Sequence, residues 1–268
     1  MILALDDVRD EPKYGGKAVH LGHAPRAGLP VPPGFALGHE DADRVARGDA
    51  RTIDEVLVAF RTLGGPVAVR SSAVGEDSGD ASFAGQHETL LGIVDERSLL
   101  EALRRVHRSA RTEAALAYRK RLDLVDEPRM GIVVQKLVLA DVAGVLFTRN
   151  PVTHRDEIVI EASWGLGEAV VAGLVTPDRF RLTHDGLLLE RTAGEKDLAI
   201  RVGPDGTTVE VPIVGPRIHE PCLGDRELRV LVELAHRARA FDPDGSDLEF
   251  AFVGGEVYLL QRRAITRG

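Results

Sequence analysis

The feature that most constrains this chain is a change of hydrophobic period along its length. Short apolar runs occur at Val67-Ala-Val69, Gly131-Ile-Val-Val134, Val142 to Phe147 and Glu157-Ile-Val-Ile160, each bounded by Gly, Pro, Asp or Asn. Their length and β-branched content predict strands. From Glu96 to Arg121 the apolar residues Leu99, Leu103, Val106, Ala110 and Ala114 recur every three or four positions. That spacing predicts one long amphipathic helix. A second helix is predicted after Gly224-Asp225, with Leu228, Leu231, Leu234, Ala235 and Ala238 on one face. Strands and helices of these lengths make a mixed α/β chain. Aromatic residues are only 4% of it, so Val, Leu, Ala and Ile must build the core.

Composition removes several classes of function. The charge is −8 from 34 basic and 42 acidic residues, which argues against nucleic acid as a partner. No apolar run approaches the eighteen or so residues that span a bilayer, and the amino terminus lacks a basic segment followed by an apolar core. A cytoplasmic protein without a membrane partner is expected. The single Cys222 can form neither an internal disulfide nor, with no CxxC pattern, a structural zinc site. The Pro- and Gly-rich connections at Gly28 to Gly34, Ser78 to Asp80 and Phe241 to Gly245 are too short to link independent domains. One domain over residues 1–268 is therefore expected.

Four clusters carry the chemistry. The first is Tyr14-Gly15-Gly16-Lys17-Ala18-Val19-His20-Leu21-Gly22, where glycines permit close backbone approach and Lys17 brings a mobile charge. It lacks the spacer and hydroxyl residue of a P-loop, so alone it equally fits an ordinary turn. The second runs Val67-Ala-Val-Arg70-Ser71-Ser72 and continues through Ala81-Ser82-Phe83-Ala84-Gly85 to Thr89. Arg70 directly after an apolar strand calls for an anion, either a ligand or the nearby Glu76 or Asp77. The third comprises Val133-Val-Gln135-Lys136-Leu137-Val138, Gly144 to Thr153, and Glu161-Ala-Ser-Trp-Gly165-Leu166-Gly167-Glu168. The fourth is Asp247-Leu-Glu249-Phe-Ala-Phe, followed after Gly254-Gly255 by Gln261-Arg262-Arg263.

In this order the four clusters resemble the nucleotide-binding domain shared by phosphoenolpyruvate synthase, pyruvate phosphate dikinase and rifamycin phosphotransferase, from about Tyr14 to Thr266. The resemblance implies an ATP-grasp fold of the α/β (α+β) class. Two lobes would hold ATP between them, with a hinge near residues 135–138 and a mostly antiparallel sheet in the carboxy-terminal lobe. It further implies ATP and Mg2+ as ligands. Lys17, Arg70 and Arg263 would contact phosphates, Gly85 and Thr89 would belong to a phosphate cover, and Gln135 and Leu137 would line the adenine. Glu168 would belong to a second glycine loop, while Glu249 and Gln261 would hold magnesium, with Asp247 beside them for a second ion or the attacking group.

Strand register tests this set. With a plain two-residue turn at Gly254-Gly255, Glu249 would face Leu260 and Gln261 would point to the opposite side of the sheet. An odd-length connection or a bulge is therefore predicted, bringing Asp247, Glu249, Gln261 and Arg263 onto one face. In Ile132 to Val138, alternation puts Lys136 on the face of Ile132 and Val134, and Gln135 on the other with Val133.

Members of this family usually add a swivelling domain ending in a phosphorylated His and a domain for pyruvate or the drug. No Gly-Gly-x-x-Ser/Thr-His pattern occurs in these 268 residues. The expected role is thus the nucleotide half of a Mg-dependent phosphotransferase, acting with a separate phospho-His partner. The alternatives are a stand-alone ATP-grasp kinase or ligase acting on a small-molecule acceptor, and a nucleotide-binding module without turnover.

Overall fold

The structure is a computed structural model that describes residues 2–73, 88–113, 115–117, 128–240 and 245–264. The chain is a mixed α/β fold of two compact units, each built on an antiparallel sheet. The first unit comprises Met1–Arg26, Pro32–Leu137 and Pro204–Thr207, and the second Ala27–Val31, Val138–Gly203 and Thr208–Gly268.

The sheet of the first unit contains β1 (Leu3–Ala4), β2 (Gly34–Leu37), β3 (Val67–Ala73), β4 (Thr89–Ile93) and β5 (Met130–Lys136), ordered β1-β2-β5-β3-β4. One face carries Phe35, Leu37, Val67, Val69, Ile132 and Val134, which form a core with Ala42, Val45, Val56, Phe60, Leu99, Leu103 and Val106. The latter come from helices His39–Arg47, Ala50–Leu63 and Glu96–Ser109. Ile132 and Val134 thus face the core, as alternation predicted, and Gln135 shares the other face with Val133.

The helix predicted from Glu96 to Arg121 breaks at Ser109, and Ala114 and residues 118–121 lie outside the described residues. Asp95 caps its start in a capping box with Ser98, but it ends at Ser109. There hydroxyls take over backbone partners: Ser109 Oγ donates to Val106 O at 2.7 Å and Thr112 Oγ1 to Ser109 O at 3.2 Å. Thr112 Oγ1 also accepts from Ala115 N at 3.2 Å, which starts a new turn. Side-chain oxygens that bond local backbone compete with helix continuation. Apolar spacing alone does not reveal this.

The second unit holds a six-stranded sheet of β6 (Val142–Phe147), β7 (Ile158–Trp164), β8 (Asp178–Leu182), β9 (Leu188–Thr192), β12 (Ser246–Val253) and β13 (Glu256–Ala264). Its order is β13-β12-β6-β7-β8-β9. A ribbon of β10 (Leu198–Val202) and β11 (Thr208–Pro212) accompanies it. Leu248, Phe250, Phe252, Leu146, Ile158, Ile160, Phe180 and Leu182 are buried on one face. Helix Asp225–Arg239 buries Leu228, Leu231, Leu234, Ala235 and Ala238, the five residues its spacing selected. Among the described residues no helix is long and apolar enough to cross a membrane.

Cys222 is buried in this unit, its N–H donating to Asp178 Oδ2 at 2.7 Å. Burial, then the neighbouring Asp178 charge, push its thiol far above the usual range. A thiolate is the reactive form, so Cys222 should resist a disulfide reagent in the native protein. We expect modification at least about a hundredfold faster in denaturant, measured by thionitrobenzoate release; equal rates would show the site to be open.

Candidate nucleotide and metal site

In the first unit the glycine-lysine cluster is fastened to β3. Gly15 has a φ of 82°, and a Cβ there would lie 1.9 Å from Ser72 O, so only glycine fits. Helix Gly16–His23 follows, its Ala18 N–H donating to Ser72 Oγ at 3.0 Å. Lys17 is 3% exposed and its Nζ donates to Ser71 O at 2.9 Å. Arg70, also buried, lies one residue earlier on β3, opposite Thr89 on β4 and Val133 on β5. Gln135 pairs with Ala68, two residues before Arg70, and so shares Arg70's face of the sheet. The structure therefore places Arg70, Thr89 and Gln135 on the adjacent strands β3, β4 and β5, with Lys17 seated on β3.

The Leu137 N–H donates to Pro66 O at 2.9 Å, so Leu137 could serve a base only through its carbonyl. Gly85, like Glu76 and Asp77, lies outside the described residues. Sequence reasoning gave no role to Ser71 and Ser72, which seat Lys17 and its helix. Their signal was adjacency to Arg70.

In the second unit the decisive feature is the β12–β13 hairpin. Gly254 and Gly255, with φ of 58° and 84°, form a two-residue turn that pairs Val253 with Glu256 and Phe250 with Leu259. Left uninterrupted, this is the register that would turn Gln261 away. A shift between Glu249 and Phe250 makes Leu260 the extra residue, and pairing resumes as Glu249 with Gln261 and Asp247 with Arg263. A bulge thus restores the face. All four side chains share one side of the sheet, opposite the apolar Leu248 and Phe250.

Two rows of paired residues extend this face. One runs Gln261, Glu249, Val145, Glu161, Arg179 and Thr192; the other runs Arg263, Asp247, Phe147, Val159, Arg181 and Glu190. The glycine loop lies over the same face, since a Cβ on Gly167 would meet Ala143 Cβ at 3.6 Å. Ala143 is two residues from Val145, and Glu168 begins the short helix Glu168–Val171.

Asp247 Oδ1 is buried and finds no hydrogen-bond partner. Burial, then the charge of Glu249, push the Asp247 carboxyl up to about 6, while Arg263 pulls it down. The Gln261 carboxamide, its oxygen turned to Arg263, accepts from the guanidinium. Two carboxylates are hard donors that suit magnesium, which keeps several waters besides, and the Gln261 oxygen joins them by leaving Arg263. Among the described residues there is no group of three or more His, Cys, Asp or Glu able to hold a metal unaided. The residues fit an ion that also takes ligands from water and phosphate.

The Asp247 shift gives a stability prediction. A native-state pKa above the unfolded one means the native state holds the proton more tightly. The contribution is full below pH about 4, falls as pH rises to about 6, and is flat above. Asp247→Asn should therefore raise the unfolding free energy of the ligand-free protein at pH 8 by about 1–3 kcal/mol. Urea unfolding at pH 8 and pH 4 checks this, and a gain of equal size at both would exclude the carboxylate as its source.

Comparison with known proteins shows the family. Residues 50–268 match the family described as pyruvate phosphate dikinase, AMP/ATP-binding domain. The chain belongs to that family. It is 35% identical over 300 residues to a probable phosphoenolpyruvate synthase of Methanothermobacter thermautotrophicus, covering 94% of this chain and 44% of that protein. It is also 35% identical over 295 residues to the rifampicin phosphotransferase of Streptomyces sviceus, covering 94% of this chain and 34% of that one. The chain thus spans between a third and a half of the length of these relatives. A solved D-alanine–D-alanine ligase from Bacillus anthracis superposes with a TM-score of 0.41 at 12% identity, over 94% of this chain and 60% of the ligase.

Proposed function

We propose that the chain is the nucleotide-binding part of a Mg-ATP-dependent phosphotransferase whose acceptor is a histidine on a separate partner. The observation that carries this reading is the bulge at Leu260. It breaks an otherwise regular hairpin, and its effect is to set Asp247, Glu249, Gln261 and Arg263 side by side.

In this reading Lys17 and Arg70 hold the phosphate chain and Arg263 offsets charge on the group in transit. Charge-assisted hydrogen bonds of this kind are worth roughly 1.5–3 kcal/mol each. Glu249, Gln261 and Asp247 would hold magnesium, which when bound supplies charge neutralisation at the polyphosphate. Gln135, and Leu137 through its carbonyl, would border the base, Thr89 and Gly85 would belong to the phosphate cover, and Glu168 to the second glycine loop. Phosphoryl transfer needs little covalent help from the protein, so positioning does most of the work.

The test is the nucleotide product formed from Mg-ATP by the chain alone, with small acceptors, and with the histidine-bearing half of a phosphotransferase relative supplied in trans. AMP together with inorganic phosphate, or ADP, appearing only with that half supports the proposal. ADP formed with a small acceptor replaces it with a self-sufficient kinase or ligase, and binding without turnover leaves a nucleotide-binding module.

A further inference from the structure

The face that carries Glu249 and Gln261 continues across β7 and β8 to Glu161 and Arg179, which are directly opposite each other. At a strand spacing of about 4.8 Å, Glu161 lies two strands and Arg179 three strands from Glu249 in the same row. The adjacent row contains a similar set of charges, but there they are committed. Arg181 donates to Glu190 at 2.7 Å and to Glu157 at 3.1 Å, and Asn150 closes the set by donating to Glu157 at 2.6 Å. Glu161 and Arg179 approach only to 3.9 Å, beyond hydrogen-bond distance. Arg179 Nε is buried and without a partner, while the two side chains are 41% and 35% exposed for Arg179 and Glu161 respectively. Arg181 Nε is unpartnered too, so what separates the two pairs is the bonding between charges: Arg181 hydrogen-bonds two carboxylates, whereas Arg179 and Glu161 are not hydrogen-bonded to each other.

We propose that Glu161 and Arg179 form the acceptor subsite, Glu161 accepting the N–H of an acceptor imidazole and Arg179 receiving the phosphoryl group once it has moved. This rests on the phosphotransferase reading given above. The chemistry of the pair matches the two ends of a phosphorylated imidazole. The unprotonated ring nitrogen attacks phosphorus, an N–P bond forms, and the P–O bond to the nucleotide breaks with its electron pair staying on the nucleotide oxygen. The second ring nitrogen keeps its proton, hydrogen-bonded to Glu161. That bond fixes the tautomer and raises the basicity of the attacking nitrogen. Arg179 offers planar donors to phosphoryl oxygens, a geometry that lysine lacks. An ordinary surface ion pair would instead contribute next to nothing and could be removed without functional effect.

N-phosphoimidazole is the probe, titrated calorimetrically into the full chain, with inorganic phosphate and imidazole in parallel. We expect the wild type to bind N-phosphoimidazole more tightly than either fragment. Arg179→Ala and Glu161→Ala should each weaken that binding at least tenfold, with Arg179→Lys intermediate, while ATP affinity and the urea midpoint stay unchanged. Absence of binding by the wild type, or equal binding by Arg179→Ala, overturns the subsite. Loss in Arg179→Ala without loss in Glu161→Ala reduces it to a phosphate site and overturns the imidazole assignment. ATP affinity is measured on the same samples. Failure of the wild type to bind ATP while N-phosphoimidazole still binds would sink the nucleotide reading and leave the subsite standing.

Discussion

Lys196→Met is expected to lower the unfolding free energy by about 3–5 kcal/mol, the cost of leaving one member of a buried ion pair alone. Lys196 and Asp178 are both 0% exposed, and Lys196 Nζ donates to Asp178 Oδ1 at 2.6 Å. The same carboxylate accepts from Gly194 N at 2.8 Å and Cys222 N at 2.7 Å. It therefore ties the start of β8 to the segment before β10 and to the approach to helix Asp225–Arg239. Without the ammonium, a carboxylate remains buried with only two backbone donors. The double change Lys196→Met with Asp178→Leu should recover part of the loss, because the desolvated charge goes with its partner. Arg51→Ala, which removes a pair with Glu55 on a side chain 89% exposed, should cost less than about 0.5 kcal/mol. Urea unfolding followed at Trp164, the only tryptophan and part of β7 in the same unit, measures all three. A loss below about 1 kcal/mol in Lys196→Met would mean that the carboxylate finds another partner or takes up a proton at little cost.

Much of this unit was legible in sequence because its elements follow one period each. The run Val142 to Phe147 is β6 as predicted, and the helix after Gly224 buries the residues its spacing chose. Alternation also assigned the two faces of β5. The hairpin shows the limit of such reasoning. Glycines at Gly254-Gly255 announced a turn, and the need to group four side chains announced an irregularity, but its position at Leu260 depends on how β12 and β13 pair. The Asp178–Lys196 pair was hidden for a related reason. Eighteen residues separate the partners, and a lone Asp or Lys in a sequence is normally a solvated side chain. Ser71 and Ser72 went unassigned because their partners, Lys17 Nζ and the Ala18 N–H, are 54 residues away. Local pattern finds elements and faces; polar contacts across the chain come from topology.

Glu249→Ala should abolish the magnesium dependence of ATP binding and lower phosphoryl transfer by about a hundred- to a thousandfold, the usual effect of removing one preorganised charge-stabilising group. Glu249 lies between Gln261 and Val145 on the row that also holds Glu161, and its side chain faces away from the buried Leu248 and Phe250. Its removal leaves the core untouched, so the unfolding midpoint read at Trp164 should hardly move. Lys17→Ala should act differently. Lys17 Nζ is fixed on Ser71 O before any ligand arrives, so the loss should fall on ATP affinity at every magnesium concentration. ATP titrations at several magnesium concentrations separate the two. A Glu249→Ala protein whose affinity still rises with magnesium as the wild type's does would remove Glu249 from the metal set and return the shared face of β12 and β13 to a purely structural reading. If Lys17→Ala and Glu249→Ala shift affinity with the same magnesium profile, the two residues act on one feature of the nucleotide rather than on the phosphate chain and the metal separately.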